Sequence, residues 1–276
     1  MIARIISSFR TNSIGALISK IPSRFAMIGY KLWLKSTGSE SVKTRYDVLM
    51  SANWGDATFE FCALGAYGHY LGDRLKEEAG PYVFVDVGSN QGLYSLLAGK
   101  SPNCRRAIAL EPVKSTFTLL QKNIELNGLE DQIVPLQFGI SDQPGTFPIY
   151  MKADHSGVAS LSHKSEGAVI ERAEVKTAQD LDAHLLSNLP IVIKIDVEGH
   201  ELEVLRSLTK TSYYERVKWI FCEVDERWID ASELTGLLEQ LGLTNFEKVG
   251  RGYHYDLMAR KEGQATSSVP QGGGQL

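Results

Sequence analysis

Apolar and polar residues alternate in blocks along the middle of this chain, and the blocks have the lengths of strands and helices. Short apolar runs predict core strands at 82–87, 105–111, 132–138, 190–196 and 217–224. Apolar residues at helical spacing predict helices at 67–78, 93–100, 115–127, 179–187, 200–209 and 231–241. Strands that alternate with helices are typical of an α/β domain with a mostly parallel, Rossmann-like sheet.

The segments around this core are less regular. Residues 244–250 and 253–260, joined by Gly250-Arg-Gly252, predict a closing hairpin that adds one antiparallel edge strand to the sheet. We also expect strands at 146–151 and 174–177, a surface loop at 152–172, strands or helix starts at 48–52 and 58–64, and a disordered tail at 263–276.

The first 45 residues differ from the rest in charge. They carry a net charge of +7, and because the whole chain carries −4, the remainder carries −11. Within residues 1–21, apolar positions such as Ile2, Ile5, Ile6 and Phe9 follow the helical spacing of a basic amphipathic helix. Three roles stay open: docking on the rest of the chain or a second subunit, peripheral contact with an anionic inner membrane surface, or a transit peptide. Docking is slightly favoured, and a globular domain is expected at 46–262.

Composition excludes several classes of protein. With 43% hydrophobic and 22% charged residues, the chain is expected to be globular. Its three cysteines are unclustered, so they indicate neither a zinc site nor a disulfide framework and fit a reducing cytoplasm. No apolar run approaches the ~18–20 residues of a transmembrane helix. The acidic domain argues against nucleic acid as a partner, since phosphate affinity depends on lysine and arginine.

The most informative segment follows the strand at 82–87. Asp86-Val-Gly-Ser-Asn-Gln-Gly92 is a glycine-containing turn that leads into a helix, the arrangement that places backbone N–H groups beside a cofactor. It departs from the dinucleotide pattern G-x-G-x-x-G because an acid precedes it. A carboxylate suits the ammonium of S-adenosyl-L-methionine better than a pyrophosphate. We therefore predict that Asp86, Gly88, Asn90 and Gly92 bind that cofactor.

Two further acids fit the same cofactor. Glu111 ends the strand at 105–111, where a carboxylate is placed to accept both ribose hydroxyls. Asp142 follows the third strand and is suited to accept a hydrogen bond from the adenine amine. Its alternative role is to begin the turn Asp142-Gln-Pro-Gly145.

Candidate catalytic residues cluster at the ends of two later strands. Transfer of a methyl group to a hydroxyl needs a base, and the candidates are Asp196, Glu198, His200 and Glu223. His200 titrates near neutral pH but begins a helix, where it is also suited to a capping role. The three carboxylates are also hard ligands of the kind Mg²⁺ prefers, but no spacing defines such a site, and we predict no metal. Lys194 is expected to form an ion pair with a neighbouring acid.

Four segments together resemble one enzyme family. The loop Asp86–Gly92, the turn at Glu111-Pro112 with Phe117 and Asn123, the segment Ile140-Ser-Asp142 and Lys194-Ile-Asp-Val-Glu-Gly199 are similar to the FkbM family of S-adenosylmethionine-dependent methyltransferases. The resemblance covers roughly residues 55–260 and implies a class I methyltransferase fold and O-methylation, often of a sugar or polyketide hydroxyl. Ser89 stands where the family commonly has alanine.

The resulting hypothesis is an S-adenosyl-L-methionine-dependent O-methyltransferase for a saccharide, glycolipid or polyketide-type acceptor. The segment Asp196-Val-Glu-Gly199 disfavours amine substrates, since it stands where amine-methylating enzymes carry an Asp/Asn-Pro-Pro-aromatic motif. The alternatives are a protein or nucleic-acid methyltransferase and a catalytically inactive cofactor-binding scaffold. The sequence does not indicate an oligomeric state.

Overall fold

The computed structural model describes residues 28–66, 68–152, 155–161, 169–186 and 188–262. The helix expected at 1–21 and the tail expected at 263–276 lie outside these ranges. Among the described residues, every helix is too short or too polar to cross a lipid bilayer.

Strands account for much of the described chain. They are β1 (Ser41–Lys43), β2 (Leu49–Ser51), β3 (Tyr82–Val87), β4 (Cys104–Leu110), β5 (Ile133–Leu136), β6 (Gly139–Ile140), β7 (Gly145–Lys152), β8 (His155–Ser160), β9 (Val169–Lys176), β10 (Ile191–Ile195), β11 (Val217–Asp225), β12 (Asn245–Val249) and β13 (His254–Arg260).

The helices lie between these strands. They are α1 (28–36), α2 (Ala57–Leu64), α3 (His69–Glu77), α4 (Leu93–Gly99), α5 (Lys114–Leu126), α6 (Glu201–Leu208) and α7 (Ala231–Gln240). Of the two segments left open by the sequence, 48–52 contains a strand and 58–64 is helical.

A seven-stranded sheet in the order β12-β13-β11-β10-β3-β4-β5 forms the centre of the molecule. Strands β11, β10, β3, β4 and β5 run parallel, and β13 is antiparallel to both of its neighbours. The Rossmann-like α/β fold with a mostly parallel sheet is therefore confirmed. The antiparallel strand, however, is second from the edge and not at the edge. The buried strand β13, with Leu257, Met258 and Ala259, is hydrogen-bonded along both of its edges, because the more polar β12 pairs with it on the outer side.

Both faces of this sheet are covered, because successive side chains of a strand point to opposite faces. Phe84 belongs to an apolar cluster with Leu96 of α4, whereas Val85 belongs to a second cluster with Val204 of α6. All six residues of β3 are consequently buried. A strand covered on both faces reads as a continuous apolar run, which is why the sequence predicted its bounds without error.

A smaller sheet, in the order β6-β9-β7-β8, contradicts one prediction. The segment 152–172 is not a surface loop throughout, because β8 and the start of β9 pair with β7. Pairing with a distant strand supplies the hydrogen bonds that local composition does not indicate.

The prediction of a helix at 179–187 is wrong. The segment forms a single 3₁₀ turn, Ala178–Leu181, and the backbone N–H groups of His184 and Leu185 then donate to the Leu181 carbonyl.

A two-stranded hairpin spans the predicted domain boundary, which stays a prediction. β1 pairs with β2 from Ser41 to Ser51, so the boundary expected between residues 45 and 46 falls inside this hairpin. Asn123 of α5 and Asn127, which follows α5, hold the hairpin. The Asn127 side chain exchanges hydrogen bonds with the Leu49 backbone, and Asn123 Oδ1 accepts from the Ser51 N–H. The hairpin is therefore attached to the end of α5.

Candidate functional site

A cavity of about 430 Å³ lies at the carboxyl ends of the central strands. Its walls come from the loops after β3, β4, β10 and β11, from α2, and from β8 of the smaller sheet. Open α/β sheets bind their ligands at this edge, outside the carboxyl ends of the strands. The volume is within the usual range for a small-molecule site.

The turn after β3 needs glycine at two positions. Gly88 has φ +77°, and a Cβ there would collide with the backbone carbonyl of Asp196. Gly92 has φ +92°, and a Cβ there would lie 2.5 Å from Leu120 Cδ1. Positive φ and close approach both exclude larger residues. The glycines therefore let the turn pack between the loop after β10 and helix α5.

Asn90 and Glu111 are joined at the cavity wall. Asn90 has φ +50°, and its backbone N–H donates to Glu111 Oε2 at 3.0 Å. The Val113 N–H donates to Oε1 at 2.9 Å. Burial raises the pKa of Glu111 to about 7, although both backbone donors oppose the shift. Each carboxylate oxygen has a second lone pair, so Glu111 retains the capacity to accept hydrogen bonds from a ligand.

Asp86 does not occupy the position that the sequence suggested. It is fully buried, Ser95 Oγ donates to its Oδ2 at 2.7 Å, and it does not line the cavity. Direct contact between Asp86 and a bound ammonium therefore stays a prediction, and the cavity lining does not support it. The side chain lies beneath the turn, where it pairs with Lys194.

Lys194 forms the ion pairs that the sequence indicated. Its Nζ lies 3.5 Å from Asp86 Oδ1 and 3.2 Å from Asp196 Oδ2, and it donates to the Gly88 carbonyl at 2.7 Å. Burial opposes the charge, but the two carboxylates outweigh it and raise the pKa of Lys194. This buried cation joins β10, the turn after β3 and the loop after β10.

Three of the candidate catalytic acids converge. Asp196, Glu198 and Glu223 each present a carboxylate oxygen, and these oxygens lie within 4.8 Å of one another. Burial, followed by the charges of Asp196 and Glu223, raises the pKa of Glu198 to about 9. Burial and the charge of Asp196 raise the pKa of Glu223 to about 7. This acid cluster has the chemistry to exchange a proton or to hold a divalent cation.

His200 and Asp142 lie to one side of the acid cluster. His200 lines the cavity, but its Nε2 lies 3.0 Å from Ser141 Oγ and its Nδ1 lies 3.6 Å from Glu203. Burial lowers the pKa of His200 against the charges of Glu203 and Asp142. Asp142 itself does not line the cavity, so its predicted contact with adenine has no support from this geometry.

Sequence reasoning missed Ser156. Its N–H donates to Asp56 Oδ2 at 2.7 Å, and its Oγ lies 3.0 Å from Asn90 Oδ1. Gln91 Nε2 also donates to Asp56, at 3.1 Å. These contacts tie β8 to the glycine turn and close one side of the cavity. No local signal marks Ser156, because its position depends on a strand pairing across the smaller sheet.

His254 was missed for a similar reason. It begins β13, and its Nε2 lies 2.9 Å from Glu223 Oε1 at the cavity wall. The predicted hairpin at 244–260 placed His254 at a strand start but did not show that β13 pairs with β11. Only that pairing brings the imidazole to the acid cluster.

Comparison with known families agrees with this geometry. The model of the methyltransferase FkbM domain matches residues 86–245, more than half of the chain. The chain belongs to the FkbM methyltransferase family. The matched segment begins at the glycine turn and includes Glu111, Lys194 and all three residues of the acid cluster. The resemblance noted in the sequence is thus confirmed.

Curated relatives of this FkbM protein are also methyltransferases by name. The hexuronic acid methyltransferase AglP of Haloferax volcanii is 29% identical over 187 residues, which cover 64% of this chain and 70% of AglP. Methyltransferase sdnD of Sordaria araneosa is 26% identical over 191 residues, which cover 59% of this chain and 73% of sdnD.

Solved structures are similar at a lower level. The methyltransferase domain of METTL16 has a TM-score of 0.43 and 16% identity, covering 70% of this chain and 65% of that one. TrmK of M. capricolum, in complex with S-adenosyl-homocysteine, has a TM-score of 0.41 and 12% identity, covering 71% and 69%. The strand order of the central sheet, and not these similarities, defines the fold.

Proposed function

We propose that this FkbM protein is an S-adenosyl-L-methionine-dependent O-methyltransferase that acts on a hydroxyl of a saccharide, glycolipid or polyketide-type acceptor. The proposal depends on one observation: the same cavity is lined by residues suited to a cofactor and by residues suited to a hydroxyl nucleophile. The first part of the cavity has the glycine turn with Glu111, and the second part has the acid cluster of Asp196, Glu198 and Glu223.

The first part is suited to the cofactor. Glu111 accepts two backbone hydrogen bonds that fix its carboxylate, which leaves lone pairs for the ribose hydroxyls. Asn90 is held beside it in a left-handed conformation. The N-terminus of α4 follows directly, and Leu93 and Tyr94 supply apolar surface to the same wall. In this proposal the methionyl amine binds to exposed acceptors of the cavity and not to Asp86.

The second part is suited to a hydroxyl nucleophile. The acceptor oxygen must lie in line with the S–CH₃ bond at ~3 Å, and this alignment supplies much of the rate. As the O–CH₃ bond forms and the S–CH₃ bond breaks, the hydroxyl proton must pass to a base. Polar groups that can take this proton line the second part of the cavity. An amine nucleophile would not need a base during the methyl transfer.

Two exposed aromatic side chains at the outer wall of the cavity favour a sugar-like acceptor. Phe61 and Trp228 line the cavity and are 47% and 54% exposed. Aromatic faces of this kind pack against the C–H faces of sugar rings, while the nearby polar groups bind the hydroxyls. The name of the relative AglP, a hexuronic acid methyltransferase, points to the same chemical class.

Turnover with a hydroxylated acceptor tests the proposal. Purified full-length protein with S-adenosyl-L-methionine is expected to produce S-adenosylhomocysteine with at least one member of a panel of methyl hexosides and methyl hexuronosides. Cofactor binding by calorimetry without turnover on hexosides, glycolipids and polyketide alcohols would favour the inactive scaffold. Methyl transfer to protein or RNA in place of these acceptors would favour the other alternative.

Changing Glu111 to alanine is expected to weaken S-adenosyl-L-methionine binding by about 1–3 kcal/mol, the usual cost of losing charge-assisted hydrogen bonds. Titration calorimetry measures the change directly. Glu239→Ala is the matched control, because Glu239 is exposed on α7 and distant from the cavity wall. Equal affinities in Glu111→Ala and the control, with both proteins folded, would remove Glu111 from the cofactor site.

A further inference from the structure

His254 and Glu223 form a pair at the wall of the cavity. Nε2 of His254 lies 2.9 Å from Glu223 Oε1, and both residues line the same cavity as Glu111. The pair joins two strands: β11 carries Glu223 and β13 carries His254, in a register that sets Asp225 opposite His254 and Asp256 opposite Glu223. Strand pairing therefore holds the imidazole and the carboxylate in place.

The two side chains differ in their access to solvent. The Glu223 side chain is 16% exposed, whereas that of His254 is 53% exposed. When Glu223 is ionised its carboxylate can only accept hydrogen bonds, and it then selects the tautomer in which Nε2 of His254 carries the proton. Nδ1 then retains a lone pair. An oriented imidazole with an unprotonated nitrogen is the base in carboxylate–histidine catalytic systems.

The surroundings of His254 favour the cation that proton uptake creates. Glu223 and Asp225 of β11 and Asp256 of β13 raise the pKa of His254 against its partial burial, with the Glu223 hydrogen bond as the largest cause. Asp225 is itself paired with Arg227. The hydrogen bond to Glu223 favours the imidazolium that forms when His254 takes up a proton, which lowers the barrier to deprotonating an acceptor.

The other candidate bases are less suited to this step. Both ring nitrogens of His200 face polar side chains, at 3.0 Å and 3.6 Å. The Asp196 carboxylate is already engaged in an ion pair with Lys194 at 3.2 Å. Glu198 is held protonated at neutral pH by burial and by its acidic neighbours.

We infer that His254 is the catalytic base of the proposed reaction and that Glu223 is its positioning residue. As the methyl group moves from sulfur to the acceptor oxygen, the hydroxyl proton passes to Nδ1 of His254, and the resulting imidazolium is stabilised by Glu223. The products are the methyl ether, S-adenosylhomocysteine and protonated His254. This inference rests on the proposed function.

The pair can be tested before any turnover is measured. The imidazole of His254 is titrated by NMR in the full-length protein, with His254→Asn used for assignment. We expect an imidazole pKa above 6.5 in the unmodified protein and a lower value in Glu223→Gln, because the amide removes the negative charge. An unchanged His254 titration in Glu223→Gln would contradict the pairing.

Turnover then tests the catalytic role, with the methyl hexoside and hexuronoside panel as the probe. His254→Asn is expected to lower kcat by at least ~10²-fold, the usual contribution of a general base, with S-adenosyl-L-methionine affinity unchanged. The acidic limb of the kcat–pH profile should be lost. Imidazole added to His254→Ala should restore part of the rate, which a purely structural role would not allow. His184→Asn is the matched control, since His184 does not line the cavity.

Three results would overturn the inference. Wild-type kcat in His254→Asn would show that the base is elsewhere. Loss of activity with EDTA and recovery with Mg²⁺ would show that Glu223 acts as a metal ligand. Absence of turnover in the unmodified protein on this panel and on glycolipid and polyketide-alcohol acceptors would reject the proposed function and this inference with it, while the NMR titration would still report on the pair.

Discussion

Replacing Lys194 with methionine is expected to destabilise the protein by about 3–5 kcal/mol, the usual cost of leaving a buried charge without its partner. The Lys194 side chain is 4% exposed and the Asp86 side chain 0% exposed, so water cannot replace the lost cation. Methionine keeps the length of the side chain but not its charge. The Gly88 carbonyl would also lose its donor, and we expect the glycine turn to lose order.

The pH dependence of the stability loss in Lys194→Met shows whether the uncompensated charge of Asp86 causes it. Burial already raises the pKa of Asp86, and Lys194 opposes that shift, so removing Lys194 should raise the pKa further. The deficit in stability is therefore expected to be largest above the folded-state pKa of Asp86 and to shrink as the pH falls through it. Urea denaturation of Lys194→Met and of the unmodified protein at several pH values measures this difference.

Two further variants serve as controls. The double variant Asp86→Asn/Lys194→Met should recover much of the stability, because it removes the buried carboxylate as well. Lys122→Met should change stability little, since Lys122 is exposed on α5. A deficit of the same size in the double variant would show that lost packing, and not the uncompensated charge, causes the effect.

Gly88→Ala is the second substitution with a large expected effect. The new methyl group would collide with the Asp196 carbonyl, and the left-handed φ of +77° disfavours any residue with a Cβ. Strain of this type and overpacking cost about 1–2 and 1–3 kcal/mol respectively, so we expect a loss of about 2–5 kcal/mol. The collision is with backbone, so relief requires the turn after β3 and the loop after β10 to separate.

This separation should also remove cofactor binding. Thermal denaturation measures the loss of stability, and calorimetry with S-adenosyl-L-methionine measures the loss of affinity. Gly236→Ala is the control, because Gly236 lies in α7 with nothing within 4 Å of the new methyl group, and alanine favours helix. Normal cofactor affinity in Gly88→Ala would show that the turn is not part of the cofactor site.

The sequence predicted the central elements closely because their signals are local. β3, β10 and the second half of β4 are buried on both faces, and such segments appear as apolar runs. Helices α5, α6 and α7 show apolar residues at helical spacing. In contrast, β8 has no such pattern, and it is a strand because β7 provides its hydrogen-bonding partner.

The candidate site divides in the same way. The glycine turn, Glu111, Asp196 and Glu198 follow strands, and Glu223 lies near the carboxyl end of β11, so the parallel order brings them to one edge of the sheet. The sequence places Asp86 at the start of the turn but does not show that its side chain lies beneath that turn. Its burial depends on Ser95 and on Lys194, which is distant in sequence.

The sequence by itself determined the α/β alternation, the glycine turn, the position of Glu111 and the convergence of acids at the strand ends. Each of these follows from residues close together in the chain. Tertiary structure decided that β13 lies between β11 and β12, that β8 closes the cavity through Ser156, and that His254 meets Glu223. These features depend on backbone pairing between distant segments, whose register is set by packing across the whole sheet and not by local pattern.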